Sequence, residues 1–376
     1  VALGRDQRAA MAVCGRCGTV EAASPWPWRC RCRGLWRPQV GPFDPAAVIA
    51  GERSVWRYRA MLSLGDGPAV SLGEGGTPLQ PANLDGVPVQ LKLEYLQPTG
   101  SYKDRGMAVL VTALAAAGVT ACVEDSSGNA GASLAAYAAH AGIQARLFVP
   151  QATPTTVLRQ QRAHGAVVDR VAATRHEAAA RAQAACGDGV AYASHVFSPF
   201  FLLGTMTLAF EVWEQLGRRV PDRLVLPVGH GGLLLGAYHG FTALQLAGLA
   251  DRLPRLIAVQ AAACAPLEAA FRRGEAGVAA APPGPLGPTA ARGVAVAHPP
   301  RGAEVLAAVR ATGGAVVAVD EGEIRRAQAS CARAGWYVEP TGAVAAAGLG
   351  RLVAGRSAPP ESELTVVALT GTGLKE

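Results

Sequence analysis

Ala121-Cys122-Val123-Glu124-Asp125-Ser126-Ser127-Gly128-Asn129-Ala130-Gly131 runs from a short apolar stretch, through small polar residues, into an alanine-rich segment. Residues 121–124 predict a buried strand, and Asn129 to Ala141 predicts a helix. The same order returns on both sides. Upstream, Val87 to Tyr95 reads as a strand and Asp104 to Gly118 as a helix with Gly118 as its cap. Downstream come a strand at Gln144 to Val149, a helix at Thr153 to Gly165, a strand at Val167 to Val171 and helical residues from Ala178 to Cys186. Further strands are expected at Leu224 to Pro227, Leu256 to Gln260, Ala315 to Val319 and Leu364 to Leu369. Helices are expected from about Leu233, at Glu321 to Ala334 and at Ala343 to Val353. Alternation of this kind predicts an α/β fold of parallel sheets covered on both faces. Pro282 to Pro300 reads as an ordered loop.

A chain of 376 residues exceeds one typical core, so two domains and an extra element are expected. Half of it is hydrophobic, which excludes a disordered protein. The longest stretch without Asp, Glu, Lys or Arg, Leu224 to Ala250, contains Pro227, six glycines, His230 and His239. It therefore reads as strand, loop and helix rather than a membrane span. No apolar leader of the secretory type is seen, and a cytoplasmic location is expected. The formal charge of +7 is concentrated in residues 1–60, where ten arginines face four acidic residues. A solvated surface accounts for that patch better than a nucleic-acid partner does.

Four of the eight cysteines form Cys14-Gly15-Arg16-Cys17 and Cys30-Arg31-Cys32. Cys-x-x-Cys before a glycine is a zinc-knuckle pattern, whereas Cys-x-Cys is one residue short of it. Zinc binding by Cys14, Cys17, Cys30 and Cys32 and a set of free thiols both remain open. Cys122, Cys186, Cys264 and Cys331 read as packing residues.

Only three lysines, Lys92, Lys103 and Lys375, stand against 32 arginines. Lys103 lies in Pro98-Thr99-Gly100-Ser101-Tyr102-Lys103-Asp104-Arg105-Gly106. A lysine amine, unlike a guanidinium, can lose its proton and attack an aldehyde to form a Schiff base; a solvated lysine is the plainer alternative. Asp125 to Gly131 opens a helix with unpaired amides and hydroxyls suited to a carboxylate. Pro227-Val228-Gly229-His230-Gly231-Gly232-Leu233 joins strand to helix as a phosphate cradle, but has neither the Walker lysine nor the G-x-G-x-x-G spacing. Leu369-Thr370-Gly371-Thr372-Gly373-Leu374-Lys375 ends a strand in small hydroxyl residues, one of which could meet a ring nitrogen.

Together these motifs resemble threonine synthase, among the fold type II, tryptophan synthase β-like pyridoxal phosphate enzymes. Ser71-Leu72-Gly73-Glu74-Gly75-Gly76-Thr77-Pro78-Leu79 and Glu339-Pro340-Thr341-Gly342-Ala343 add to the resemblance, which covers roughly residues 68 to 376. It implies two parallel-sheet, three-layer domains and a short zinc-ribbon-like leader over residues 1–60. The larger, cofactor-binding domain would span 61–103 and 206–376, and a smaller mobile domain 104–205. It implies pyridoxal 5'-phosphate on Lys103, flanked by Tyr102, with Asn129 at the ring oxygen. Gly229, His230, Gly231, Gly232 and Leu233 would hold the phosphate, and Thr370 would meet the pyridine nitrogen. Ser126 and Ser127 with their loop would hold the substrate carboxylate, and Gly128, Ala130 and Phe201 would also face the substrate. A homodimer and a small-molecule amino acid substrate are implied as well.

The pattern departs from the family where a substrate phosphate would sit. Phe201 occupies the position of the family's arginine, Ala130 that of a threonine, and His230 that of an asparagine. A phenyl ring cannot replace charge-assisted hydrogen bonds to phosphate. The expectation is therefore elimination or replacement on a β- or γ-substituted amino acid with altered leaving-group recognition, His195 and His230 being candidate polar replacements. Authentic threonine synthase acting on O-phosphohomoserine is the first alternative. A zinc-ribbon nucleic-acid protein with an idle enzyme-like body is the second.

Overall fold

The computed structural model describes residues 10–171, 174–187, 189–278, 287–352 and 363–375. In chain order the strands begin with β1 (Met11–Cys14), β2 (Val20–Ala22), β3 (Trp36–Pro38), β4 (Leu79–Leu84), β5 (Val87–Lys92) and β6 (Ala121–Glu124). They continue as β7 (Gln144–Pro150), β8 (Val167–Val171), β9 (Val190–Tyr192), β10 (Arg223–Pro227), β11 (Arg255–Ala261), β12 (Ala315–Val319) and β13 (Thr365–Ala368). The helices are α1 (Arg59–Leu62), α2 (Lys103–Ala116), α3 (Asn129–His140), α4 (Arg159–Ala163), α5 (Arg175–Ala184) and α6 (Pro199–Gln215). After them come α7 (Gly232–Leu246), α8 (Pro266–Arg272), α9 (Gly302–Ala311), α10 (Glu321–Arg333) and α11 (Pro340–Leu352). Two compact units result, Val1–Gly76 with Lys103–Thr207 and Thr77–Tyr102 with Leu208–Glu376.

In the first unit a parallel sheet runs β8-β7-β6-β9. Helix α2 is buried from Asp104 to Leu114, as a helix apolar on nearly every face must be. The polar groups it buries are bonded: the Ser133 hydroxyl donates to Asp104 Oδ1 (2.5 Å) and Arg105 Nη1 to Thr207 Oγ1 (3.1 Å). Residues 61–76, assigned from sequence to the larger part, cluster with this unit. Val70 N–H donates to Thr112 Oγ1 (2.9 Å), and the Tyr137 hydroxyl to Glu74 Oε2 (2.9 Å). The leader contributes an antiparallel sheet, β2-β1-β3.

The second unit holds a six-stranded sheet, β12-β11-β10-β13-β5-β4, parallel except for the β4–β5 hairpin at its edge. The hairpin turns at Asp85-Gly86, whose φ angles of 50° and 88° suit the tight turn that an Asp-Gly pair favours. A core of aliphatic side chains from β5, β10, β11 and β13 packs under α10 and α11. Helix α10 opens with a reciprocal capping box between Asp320 and Glu323.

Several expected boundaries shift. The helix predicted from Thr153 is confined to Arg159–Ala163, because residues 154–158 form tight turns, with Val157 N–H on Pro154 O and Leu158 N–H on Thr155 O. β5 stops at Lys92 rather than Tyr95, since Glu94 N–H turns back onto Lys92 O. The charge-free stretch from Leu224 forms the end of β10, a loop and α7; among the described residues no helix is long and apolar enough to cross a membrane. Residues 282–286 of the predicted proline-rich loop, and Val353, lie outside the described residues.

Lys92, one of the three lysines, is fully buried and structural. Its Nζ donates to Thr77 O (2.6 Å), Glu211 Oε2 (2.8 Å) and Gln215 Oε1 (2.9 Å). Removing one partner of a buried ion pair leaves the other charge poorly compensated. Glu211→Ala is expected to cost about 3–5 kcal/mol, read as a lowered denaturant midpoint.

Candidate functional site

Three of the predicted motifs collect at the carboxyl ends of neighbouring strands in the six-stranded sheet. β10 and β13 are parallel neighbours in a register that pairs Val225 with Val367, which carries Val228 and Thr370 to the same level. β5 lies beside β13, and the segment after it is stitched to the last motif. Tyr102 N–H donates to Thr370 O (3.1 Å), Thr372 N–H to Gly100 O (2.9 Å), and Ser101 bridges Gly371. Loops at the carboxyl ends of parallel strands are where α/β sheets bind ligands.

The glycines of the cradle are imposed by packing. A Cβ on Gly229 would lie 2.7 Å from Gly293 O. One on Gly231, whose φ is 87°, would lie 2.2 Å from Val305 Cγ2. The backbone from Gly229 to Leu233 leads into the first turn of α7, a 15-residue helix beginning at Gly232. First-turn amides and the helix dipole suit a phosphate. The Thr370 hydroxyl is 2% exposed and its Oγ1 has no hydrogen-bond partner among the described residues. A buried hydroxyl is costly to leave unsatisfied, and a ring nitrogen would satisfy it. These residues therefore fit pyridoxal phosphate.

In the first unit, Lys103 and Asn129 begin α2 and α3, two helices packed on each other. The Ser133–Asp104 bond ties the residue after Lys103 to the residue one turn on from Asn129. Lys103 and Asn129 are half-buried, Ala130 is buried, and Gly128 is exposed. The Ser126–Gly128 loop is braced at three points. Glu124 Oε2 accepts Ser126 N–H (3.1 Å), Gln161 Nε2 donates to Ser127 O (2.8 Å), and the Tyr192 hydroxyl donates to Asp125 Oδ1 (2.6 Å).

Phe201 is fully buried on α6, its ring filling the space over Gly106, where a Cβ would lie 2.3 Å from Phe201 Cδ2. The His195 ring meets it edge-on with centroids 5.8 Å apart. His195 is itself buried, with Nδ1 2.5 Å from Glu124 Oε1. His230 is half-buried in the glycine loop. Sequence reasoning missed Glu124; the one available signal was a carboxylate at the end of an otherwise apolar strand.

The leader brings its four cysteines together. The Sγ atoms of Cys14, Cys17, Cys30 and Cys32 all lie within 4.8 Å of one another, with 3.4 Å between Cys14 and Cys32 and 3.6 Å between Cys17 and Cys30. No disulfide joins them. Arg16 N–H donates to Cys14 Sγ (3.4 Å) and Gly34 N–H to Cys32 Sγ (3.3 Å), the amide donors expected behind metal-bound thiolates. A tetrahedral zinc with bonds of about 2.3 Å needs sulfurs about 3.8 Å apart, so the donor set fits one.

Comparison with known proteins gives the same reading. A family described as pyridoxal-phosphate dependent enzyme matches residues 70–371. Threonine synthase of Methanocaldococcus jannaschii is 33% identical over 377 residues, covering 96% of this chain and 92% of the relative. Threonine synthase of Methanosarcina acetivorans is 34% identical over 307 residues, covering 80% and 75%. Among solved structures, the processed form of threonine deaminase isoform 2 from Solanum lycopersicum superposes with a TM-score of 0.65 at 25% identity, covering 79% of this chain and 79% of that one. A family match over four-fifths of the chain and relatives at 33–34% identity lead to one conclusion: this chain belongs to the pyridoxal-phosphate dependent enzymes of fold type II and is threonine synthase-like.

Proposed function

We propose that the protein catalyses elimination or replacement at the β or γ carbon of an amino acid, with Lys103 as the catalytic residue and leaving-group recognition altered from that of threonine synthase. The observation that carries the site assignment is the orphaned, buried Thr370 hydroxyl beside the glycine cradle. Pyridoxal phosphate supplies an electron sink for the pair left when the Cα–H bond breaks. Lys103 Nζ takes the Cα proton. Asn129 would donate its side-chain N–H to the cofactor's phenolic oxygen, with Tyr102 beside Lys103. The amides of Gly229, His230, Gly231, Gly232 and Leu233 would hold the phosphate. The Thr370 hydroxyl would offer the ring nitrogen a neutral partner, which would favour elimination and replacement. Ser126, Ser127 and the amides of Gly128 to Ala130 orient the substrate carboxylate.

Phe201 supports the altered recognition. It is packed against Gly106 and His195 and offers no charge to a phosphate dianion. Purified protein is expected to release phosphate from O-phosphohomoserine far more slowly than it turns over serine, threonine, homoserine or O-acyl amino acids. Efficient phosphate release would instead establish authentic threonine synthase. A protein that stays colourless when supplied with pyridoxal phosphate would sink the enzyme reading altogether. The homodimer, which the resemblance implies, and the cytoplasmic location belong to this proposal.

A further inference from the structure

A buried acid–imidazole pair stands at the end of β6. Glu124 is the last residue of that strand and is fully buried, and His195 is 8% exposed. Glu124 Oε1 lies 2.5 Å from His195 Nδ1, while Oε2 accepts Ser126 N–H at 3.1 Å. The His195 ring packs on Phe201, Phe201 packs on Gly106, and Gly106 lies one turn along α2 from Lys103. Packing thus connects the pair to the first turn of α2 through Phe201 and Gly106, and Glu124 stands at the root of the Ser126–Gly128 loop. Lys103 from α2, Arg175 from α5, and Asp125 with its partner Tyr192 from the β6 and β9 side act on it electrostatically. Burial pushes the Glu124 carboxyl up to about 7, and burial together with the Lys103 ammonium drives His195 well below its ordinary value. Both directions favour a neutral acid on a neutral imidazole over an ion pair. An apolar pair would pack this position at less cost, so such a pair marks a functional site.

We propose that Glu124 and His195 form a proton relay serving a hydroxyl leaving group, which makes the substrate a hydroxy amino acid. This rests on the elimination or replacement proposed at Lys103. At rest Glu124 carries a proton donated to Nδ1, and the imidazole holds its own proton at Nε2. As the C–O bond breaks, its electron pair stays on oxygen, Nε2 gives up its proton to that oxygen, and Nδ1 takes the proton of Glu124. Water departs and Glu124 is left as a carboxylate accepting from Nδ1–H. The Cα proton collected on Lys103 Nζ returns to the pair through water, so that substrate has lost one proton and one hydroxide. Hydroxide, whose conjugate acid has a pKa of about 15.7, is expelled only with a proton, whereas acetate leaves as a stable anion.

The test compares hydroxyl substrates with their acetyl esters: L-serine with O-acetyl-L-serine, and L-homoserine with O-acetyl-L-homoserine. In Glu124→Gln and His195→Asn, kcat on the hydroxyl substrate is expected to fall about 10²–10³-fold, and on the ester less than about tenfold. Taking the ratio within one preparation cancels the folded fraction, and Glu124→Asp, which keeps the acid, is expected to recover part of the loss. Infrared difference spectra of the purified protein at neutral pH are expected to show a protonated carboxyl stretch that Glu124→Gln removes. Equal losses on both substrates of a pair, or no such stretch, would overturn the relay. Turnover of the esters but of no hydroxy amino acid by the unmodified protein would overturn the substrate class and leave the reaction at Lys103 standing. No turnover of either, with no visible absorption, would remove both proposals.

Discussion

Lys103→Ala is expected to give a colourless protein that is folded and inactive. The visible band that pyridoxal phosphate acquires on binding covalently to an amine should be absent, and kcat should fall by about 10⁴-fold or more, since both the attachment point and the base at Nζ are gone. Folding should be spared. Lys103 is half-buried at the first position of α2, and the helix is held by the burial of Asp104 to Leu114 rather than by its first side chain. Alanine is also the best helix former, so stability should stay within about 0.5 kcal/mol. Lys103→Arg separates charge from chemistry. It keeps the cation but not an amine that can deprotonate, and should be as colourless as the alanine variant. The two other lysines make the result discriminating. Lys92 is locked against Glu211, Gln215 and Thr77. Lys375 lies over Gly100, where a Cβ would come within 3.0 Å of Lys375 Cε. A band that survives Lys103→Ala and vanishes with Lys375→Ala would move the attachment to Lys375.

The placement of the candidate motifs was legible because most of them lie in loops that follow strands. Ala121–Glu124 and Ala315–Val319 are strands with the bounds their apolar runs predict, and the glycine and hydroxyl clusters after β6, β10 and β13 lie at strand ends as expected. α6 escaped notice although Phe201 had been singled out within it. Pro199-Phe200-Phe201-Leu202-Leu203-Gly204 is apolar on all sides, so it has no period to betray a helix. β9 is three residues long, and β4 carries Pro81, each too weak a strand signal alone. The Glu124–His195 pair spans 71 residues, a separation that no local pattern encodes. For the second cysteine pair, spacing was a poor guide because Gly34 completes its turn. A Cβ on Gly34 would lie 2.4 Å from Cys14 Sγ, so the missing residue is compensated by a close backbone approach.

Metal removal is expected to unfold the leader while leaving the parallel sheets in place. Among the described residues the leader's sheet is built on a small cluster of Ala12, Cys14, Cys30 and Trp36, with Ala23 and Cys32 partly buried against it, and its strands are three and four residues long, too little apolar burial to offset the ordering of the segment. The thiolate cluster has to supply the difference, and sites of this class contribute about 10–16 kcal/mol in isolated zinc-finger peptides. One zinc per chain is expected by elemental analysis, and none in a Cys14→Ser, Cys17→Ser double variant. Cys30 directly follows Arg29, whose guanidinium lies 4.5 Å from the Trp28 ring and 4.4 Å from the Phe197 ring. Trp28 in turn packs edge-on against Tyr192 at 5.1 Å, and Tyr192 holds Asp125 at the start of the serine loop. Chelation should therefore red-shift tryptophan emission and raise KM, through Asp125, more than it lowers kcat. Metal-free protein with unchanged emission and KM would show that the ribbon is held by its contacts with the first unit and that the cysteines are not needed for its fold.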